Sequence, residues 1–348
     1  MKPTASISTV LFLALVAYAP QANAQTAPRN DITFSGKKQT LRANGIRLDG
    51  NARVVAPGEL DASADAIAVD ADSEGMREVR ATGNVKLKID VPARGGGLPV
   101  HIESSSKSAS LNPRTRVLTL TGNVSGFYQP RNAGRATLSG ETVVLRFAGK
   151  SVAADIEGSV ARPIIVLLPV PNDGTLAGVG SVRISAVKGN FDESAGSAVF
   201  TGGARAISTG ERRFEVTANA FTVARSTAGA LETLTTSGRT TLKADLPQPT
   251  PSATAPASTN SLGTPVRLEV SSDTAVVRRA DNTLTFEGNV KGWYELLQPD
   301  KTRARYPFTG DRAVVTFVPA SGTTPADFAL DFSGQPSVIN APQFNLGL

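Results

Sequence analysis

The sequence predicts an all-β protein, an open two-sheet array of stacked strand repeats with little helix. Three observations carry that expectation. Apolar and polar residues alternate at period two, as in Val85, Leu87 and Ile89 against Lys86, Lys88 and Asp90, the pattern of a strand with one dry and one wet face. Glycine and proline are plentiful, 32 and 22 of 348 residues, while aromatics reach only 5%, and the short apolar runs are bounded by turn residues. A Gly-Asn-Val signature recurs along the chain, and such recurrence marks a repeat architecture.

The N-terminus reads as a secretory leader over 1–24. Lys2 supplies the positive end, Ile7 to Ala19 the apolar stretch, and Ala22-Asn23-Ala24 a small-x-small cleavage site before Gln25. The apolar stretch falls short of the roughly 20 residues that a transmembrane helix needs. The chain has no cysteine, so packing and strand pairing must hold the fold, and thiolate catalysis and zinc-thiolate sites are excluded. The formal charge of +6 is spread along the chain. Arg212-Arg213, Arg278-Arg279 and the run Arg303 to Arg305 lack the interleaved aromatics of a nucleic-acid stacking platform, and export argues against a nucleic-acid partner as well.

The repeat is plainest where Leu118-Thr-Leu-Thr-Gly-Asn-Val-Ser-Gly-Phe-Tyr128 aligns with Leu284-Thr-Phe-Glu-Gly-Asn-Val-Lys-Gly-Trp-Tyr294. Weaker members bring the anchor glycines to eight: Gly50, Gly83, Gly122, Gly158, Gly202, Gly238, Gly288 and Gly334, at spacings of 33 to 50 residues. Each permits positive φ or a bulge where the chain bends, and a following Asn tolerates the same region. After Gly83, Gly158 and Gly238 a strand runs into a Pro/Gly-rich stretch and restarts at Val100, Val182 or Val266. By that correspondence 246–265 is an enlarged Pro-rich loop inside one continuous domain over 25–348. The alternative makes it a linker between two β modules, 25–245 and 266–348. A strand pair with one apolar face cannot bury it alone, whereas stacked neighbours build two facing sheets around an apolar slot.

No catalytic constellation is legible, and no cofactor or metal is expected. His101, the sole histidine, lies in an alternating strand with its side chain opposite to Val100 and Ile102, hence toward solvent, whereas a triad imidazole is buried and oriented. Asp61, Asp65, Asp70, Asp72 and Glu74 lack the glycine-punctuated spacing of a calcium loop. Gly95-Gly96-Gly97 has no following helix or Lys-Ser/Thr and reads as a turn. In the duplicated pairs Phe127-Tyr128 and Trp293-Tyr294, adjacent residues of a strand face opposite ways, so each pair puts one ring inside and one outside.

The series Arg80-Ala-Thr-Gly-Asn-Val-Lys-Leu87, Leu118-Thr-Leu-Thr-Gly-Asn-Val124 and Leu284-Thr-Phe-Glu-Gly-Asn-Val290 resembles the OstA-like, or lipopolysaccharide-transport (Lpt), periplasmic family. The likeness covers most of 50–334, with degenerate motifs in the middle units. It implies an elongated β-jellyroll whose greasy interior shields acyl chains, and a non-enzymatic bridge from an inner-membrane export complex to an outer-membrane translocon. It also implies lipopolysaccharide or a related anionic glycolipid as ligand, a periplasmic location and head-to-tail self-association through terminal strands. The chain is longer than the family's usual bridge component, and its Pro-rich loops are bulkier. On this reading the acyl chains lie against Val85, Leu87, Ile89, Val100, Ile102, Leu118, Leu120, Val143, Leu145 and Phe147. A structural or adhesive β-solenoid with a closed core, its function in its loops, is the alternative.

Overall fold

The computed structural model of the protein describes residues 32–58, 60–91, 100–130, 135–148, 151–169, 180–211, 213–225, 231–245, 264–298, 301–318, 327–334 and 338–339. The leader expected over 1–24, the Gly95-Gly96-Gly97 turn and all but the last two residues of the 246–265 loop lie outside them. Every regular element among the described residues is a β-strand, as the period-two alternation predicts. No described helix is long and apolar enough to cross a membrane.

The chain divides into two compact units, Met1–Val166 with Lys188–Ala195, and Leu167–Val187 with Gly196–Leu348. In the first unit β1 (Thr33–Ser35) and β2 (Lys38–Arg42) pair with successive parts of β3 (Gly45–Ala56). An antiparallel meander follows through β4 (Leu60–Asp72), β5 (Gly75–Val91), β6 (Val100–Asn112), β7 (Val117–Pro130), β8 (Ala136–Ala148) and β9 (Ser151–Glu157). Next in the chain come β10 (Ile164–Pro169), which pairs with β8, and β11 (Ser181–Ala186). The first unit ends in β12 (Lys188–Asp192), laid against β9.

The Gly-Asn signature makes a bulge inside a long strand. In β5 the ladder to β6 runs up to Thr82↔Ser108 and resumes at Val85↔Ser106, so Gly83 and Asn84 face a single residue, Lys107. β3 does the same at Gly50-Asn51 opposite Asp65, and β7 at Gly122-Asn123 opposite Glu141. Both residues of each pair are left-handed, with φ of 74° and 49° at Gly83 and Asn84. A two-residue left-handed excursion bends the strand while letting the ladder resume. Where Asn is missing after Gly158 and Gly238, the chain instead breaks into separate strands. Gly158 is also the one anchor whose φ lies outside the left-handed region.

The bulges align across neighbouring strands into a crease that splits each long strand into two halves, and the halves form facing layers. A lone sheet leaves both faces wet, yet Val85, Val124 and Val143 beside the crease are 1% exposed. Tyr128 follows the bulge in β7, while Phe191 sits in β12, reached from β7 through β8 and β9. In a flat sheet three ladder steps alone would set them about 14 Å apart, and the ten residues between Tyr128 and Leu118, with which Phe191 registers, would add to that, yet their ring centroids are 6.0 Å apart. The sheet has folded over at the crease.

The second unit repeats the plan. β13 (Ser197–Ser208), bulged at Gly202-Gly203, pairs with β11 and β14 (Phe214–Arg225). β14 is continued by β15 (Leu231–Ser237) on one side of the crease and β16 (Thr240–Asp245) on the other. β16 pairs directly with β17 (Thr264–Ser272), from Thr240↔Ser272 to Asp245↔Arg267, so a hydrogen-bonded ladder joins the two ends of 246–263. β18 (Thr274–Arg278) and β17 flank β19 (Thr283–Leu297), bulged at Gly288-Asn289, and β20 (Arg303–Val318) follows. β21 (Asp327–Ser333) and β22 (Val338–Ile339) complete the unit against β20. Phe308 and Phe332, on opposite sides of this crease, meet at 4.5 Å between ring centroids.

Candidate functional site, an apolar interior between two layers

The interior of the first unit is built by parity. β5 presents Val85, Leu87 and Ile89 to one face and Lys86, Lys88 and Asp90 to the other, and antiparallel pairing aligns Leu87 with Ser104 and Ile89 with Ile102. Leu118, Leu120, Val143 and Leu145 line up across β7 and β8 as Leu118↔Leu145 and Leu120↔Val143. Of the ten residues expected to face an acyl chain, seven are buried: Val85, Leu87, Ile102, Leu118, Leu120, Val143 and Leu145. Ile89 and Phe147 are half-buried. Val100 pairs with Val91 and Pro130 through its backbone.

Along β5 and β8 exposure grows with distance from the crease, whereas along β9 it stays level from Ile156 to Val152. Val85 and Val143 stand beside it at 1%, Leu87 and Leu145 two residues further at 7% and 8%, and Ile89 and Phe147 beyond them are only half-buried. At one strand end the two layers are tied together. The Tyr128 hydroxyl donates to Glu193 Oε1 at 3.0 Å, and Glu193 Oε2 accepts from the Val152 N–H at 2.9 Å.

The duplicated aromatic pairs divide as parity requires. Tyr128 and Tyr294 turn inward, the latter stacked on Tyr306 at 5.1 Å. Phe127 and Trp293 take the opposite faces, each covered by an arginine that leaves Phe127 buried and Trp293 half-buried: Arg135 over Phe127 at 3.4 Å and Arg305 over Trp293 at 4.2 Å.

Many of the outer-face charges are paired. His101 bonds Asp90 through Nδ1 at 2.6 Å and Glu103 through Nε2 at 3.2 Å. The hydrogen bond to Asp90 is the main reason its pKa is raised; burial opposes it and Glu103 adds to it. The acidic run is dispersed rather than convergent, with Asp61 on Arg53, Asp65 on Asn84, Asp70 on Arg80 and Asp72 on Arg114. Among the described residues no three His, Cys, Asp or Glu side chains are grouped to hold a metal ion.

Sequence reading missed one arrangement outright. Glu295, on the outer face of β19, has a side chain only 4% exposed, while Arg303 and Arg305 on β20 bond its two oxygens at 3.0 and 3.1 Å with side chains 60% exposed. Burial pushes the Glu295 carboxyl up, but the hydrogen bonds from Arg305 and Arg303 outweigh it and hold the pKa below the ordinary value. The aromatic missing from the Arg303 to Arg305 run comes from the neighbouring strand, where the register sets Glu295 against Arg305 and Trp293 against Pro307. The repeated aromatic at Phe127 and Trp293 was the available signal.

Fold and site together define a folded-over antiparallel β-sheet protein with an apolar interior and a salt-bridged exterior. Neither a family profile nor a curated protein matches the chain. A solved structure similar to it is that of LptH, the LptA-homologous periplasmic component of the lipopolysaccharide transport device of Pseudomonas aeruginosa. The identity is 15%, covering 43% of this chain and 94% of that chain, with a TM-score of 0.27.

Proposed function

We propose that the chain is a non-enzymatic periplasmic carrier or bridge for lipopolysaccharide or a related anionic glycolipid on its way to the outer membrane. The observation that carries this reading is the exposure gradient along β5, from 1% at Val85 to half-buried at Ile89, which β8 repeats from Val143 to Phe147. A crease closed on one side and loosening toward the strand ends suits acyl chains that enter sideways while sugars and phosphates stay in water. Each methylene so shielded contributes about 0.8 kcal/mol, so a multiply acylated lipid is held without any bond being made or broken. The recurring Gly-Asn-Val units, through their likeness to the OstA-like family, support the same reading. In it the export complex and the translocon are partners, and the short terminal strands β1, β2 and β22 offer edges for head-to-tail pairing.

A second reading, a β-solenoid with a closed core, is favoured by the bridge from Tyr128 to Phe191 and Glu193, which fills the gap at one end. Native mass spectrometry of the protein purified from a lipopolysaccharide-producing host separates the two. Carriage predicts a co-purifying acylated glycolipid released by organic solvent. A mass equal to the bare chain, unchanged after incubation with lipopolysaccharide, contradicts it.

A further inference from the structure

The second unit carries a polar device at the rim of its interior. Arg303 opens β20 opposite Leu297, the last residue of β19, so the pair stands at the end of the strands farthest from the crease. Arg303 Nη1 and Arg305 Nε each donate one hydrogen bond to Glu295. A guanidinium has five N–H groups, so both keep donors directed elsewhere. Arg305 is further held by the Trp293 ring, its guanidinium carbon 4.2 Å from the ring centroid. A buried carboxylate between two exposed guanidiniums fixes their spacing while leaving a net positive charge. On the inward side the residue between them is Ala304, half-buried and paired with Leu296. The Tyr294–Tyr306 stack lies one step inside.

We infer that Arg303 and Arg305, held apart by Glu295, form a receptor for the phosphate group of an amphiphile whose acyl part lies in the interior behind them. The inference rests on the carriage reading and adds to it the place where an anionic headgroup is recognised. Planar guanidiniums suit the task because they meet phosphate oxygens through paired N–H bonds. Neutralisation by Glu295 leaves the receptor one positive charge, enough to prefer a phosphate over an uncharged headgroup.

Trp293 is the only tryptophan of the chain, so its emission reports on Arg305 without labelling. The intact protein is titrated with dihexanoyl phosphatidate, with dihexanoylglycerol and with inorganic phosphate, following Trp293 emission and displacement of Nile red from the interior. The receptor predicts a saturable Trp293 change with the phosphatidate and an affinity at least about tenfold above that of the diacylglycerol, as one lost charge-assisted bond would give. In R303Q/R305Q that advantage disappears while Nile red binding persists. Should this variant lose its β signal by circular dichroism, R303K/R305K, which keeps the charges but not the planar fork, weakens the phosphatidate in the same direction. Phosphatidate that displaces the dye equally well in wild type and variant overturns the receptor and leaves carriage standing. Dye untouched by either lipid overturns both. Inorganic phosphate that matches the phosphatidate in affinity and emission change identifies a site for free phosphate and overturns the lipid assignment.

Discussion

The Asn84 amide donates to both carboxylate oxygens of Asp65, at 3.3 and 3.1 Å, across the crease of the first unit. The same carboxylate lies flat over Gly83, where an added Cβ would fall 2.1 Å from Asp65 Oδ2. Asn289 and Gly288 repeat the relation with Asp273 in the second unit, at 2.8 Å. Gly-Asn is therefore one device. At these two bends the glycine gives up its side chain so that a neighbouring aspartate can cover it and the asparagine ties that aspartate down, whereas at Gly50 and Gly122 the aliphatic part of Lys37 or Lys107 covers the glycine.

This device sets a test of the crease. Gly83→Ala meets both a left-handed φ of 74° and the Asp65 side chain, whereas Gly58→Ala meets a similar φ of 77° with nothing within 4 Å. The dihedral alone costs roughly 1–2 kcal/mol. Urea denaturation of the two variants should show Gly83→Ala destabilised by about 1 kcal/mol more than Gly58→Ala, the cost of moving a side chain in a packed site. Equal losses would remove the steric role assigned to Asp65.

His101 titrates above the ordinary 6.5, chiefly through its hydrogen bond to Asp90. A raised pKa means the folded protein binds the proton more tightly. The stabilisation is thus fully present below pH 6.5 and is lost as pH rises through the folded value. As the only histidine, it gives a single imidazole signal by NMR. That signal should titrate above 6.5 and move down in Asp90→Asn. A midpoint at or below 6.5 in the wild type would contradict the geometry.

Glu295 works with the opposite sign. Its carboxyl is held below the ordinary 4.5, so its contribution is present above that value and fades as pH falls through the lowered one. With both arginines well exposed and screened, the loss in Glu295→Gln is about 1 kcal/mol near neutral pH. The gap between wild type and variant should close in acid. A gap that widens on acidification would show that the shift has the wrong sign.

The bridge across the first unit is tested by Tyr128→Phe, which deletes one hydroxyl and its bond to Glu193. The expected cost is about 1 kcal/mol, with faster Nile red entry measured by stopped flow because the gap loses a tie. Unchanged entry with the stability loss intact would make the contact structural only.

What was legible in the sequence follows from which interactions are local. Alternation along Val85 to Asp90 is a property of one strand, so the inward and outward sets could be read directly. The meeting of Leu118 and Leu120 with Leu145 and Val143 depends on the register between two strands, which neither strand's own alternation states. The anchor glycines were visible as positions needing unusual φ, yet whether they bent a strand or ended it depended on the next residue. Asn84 and Asn123 continue the ladder, whereas Ser159 and Arg239 end it. The Glu295 receptor was out of reach because Trp293, Glu295, Arg303 and Arg305 converge only through the β19–β20 pairing and an outer face that buries a charge. Charged residues at alternating positions ordinarily read as a solvated face, and here one is not.

In the carriage reading the creased interior of the first unit holds acyl chains. Photo-crosslinking amino acids placed at Leu87, Leu120 and Leu145 in living cells, with outward Lys88 as control, test it most directly. Carriage predicts lipopolysaccharide or glycolipid adducts at the three inward positions and none at Lys88. Adducts to protein alone at all three, with Lys88 behaving alike, would contradict it.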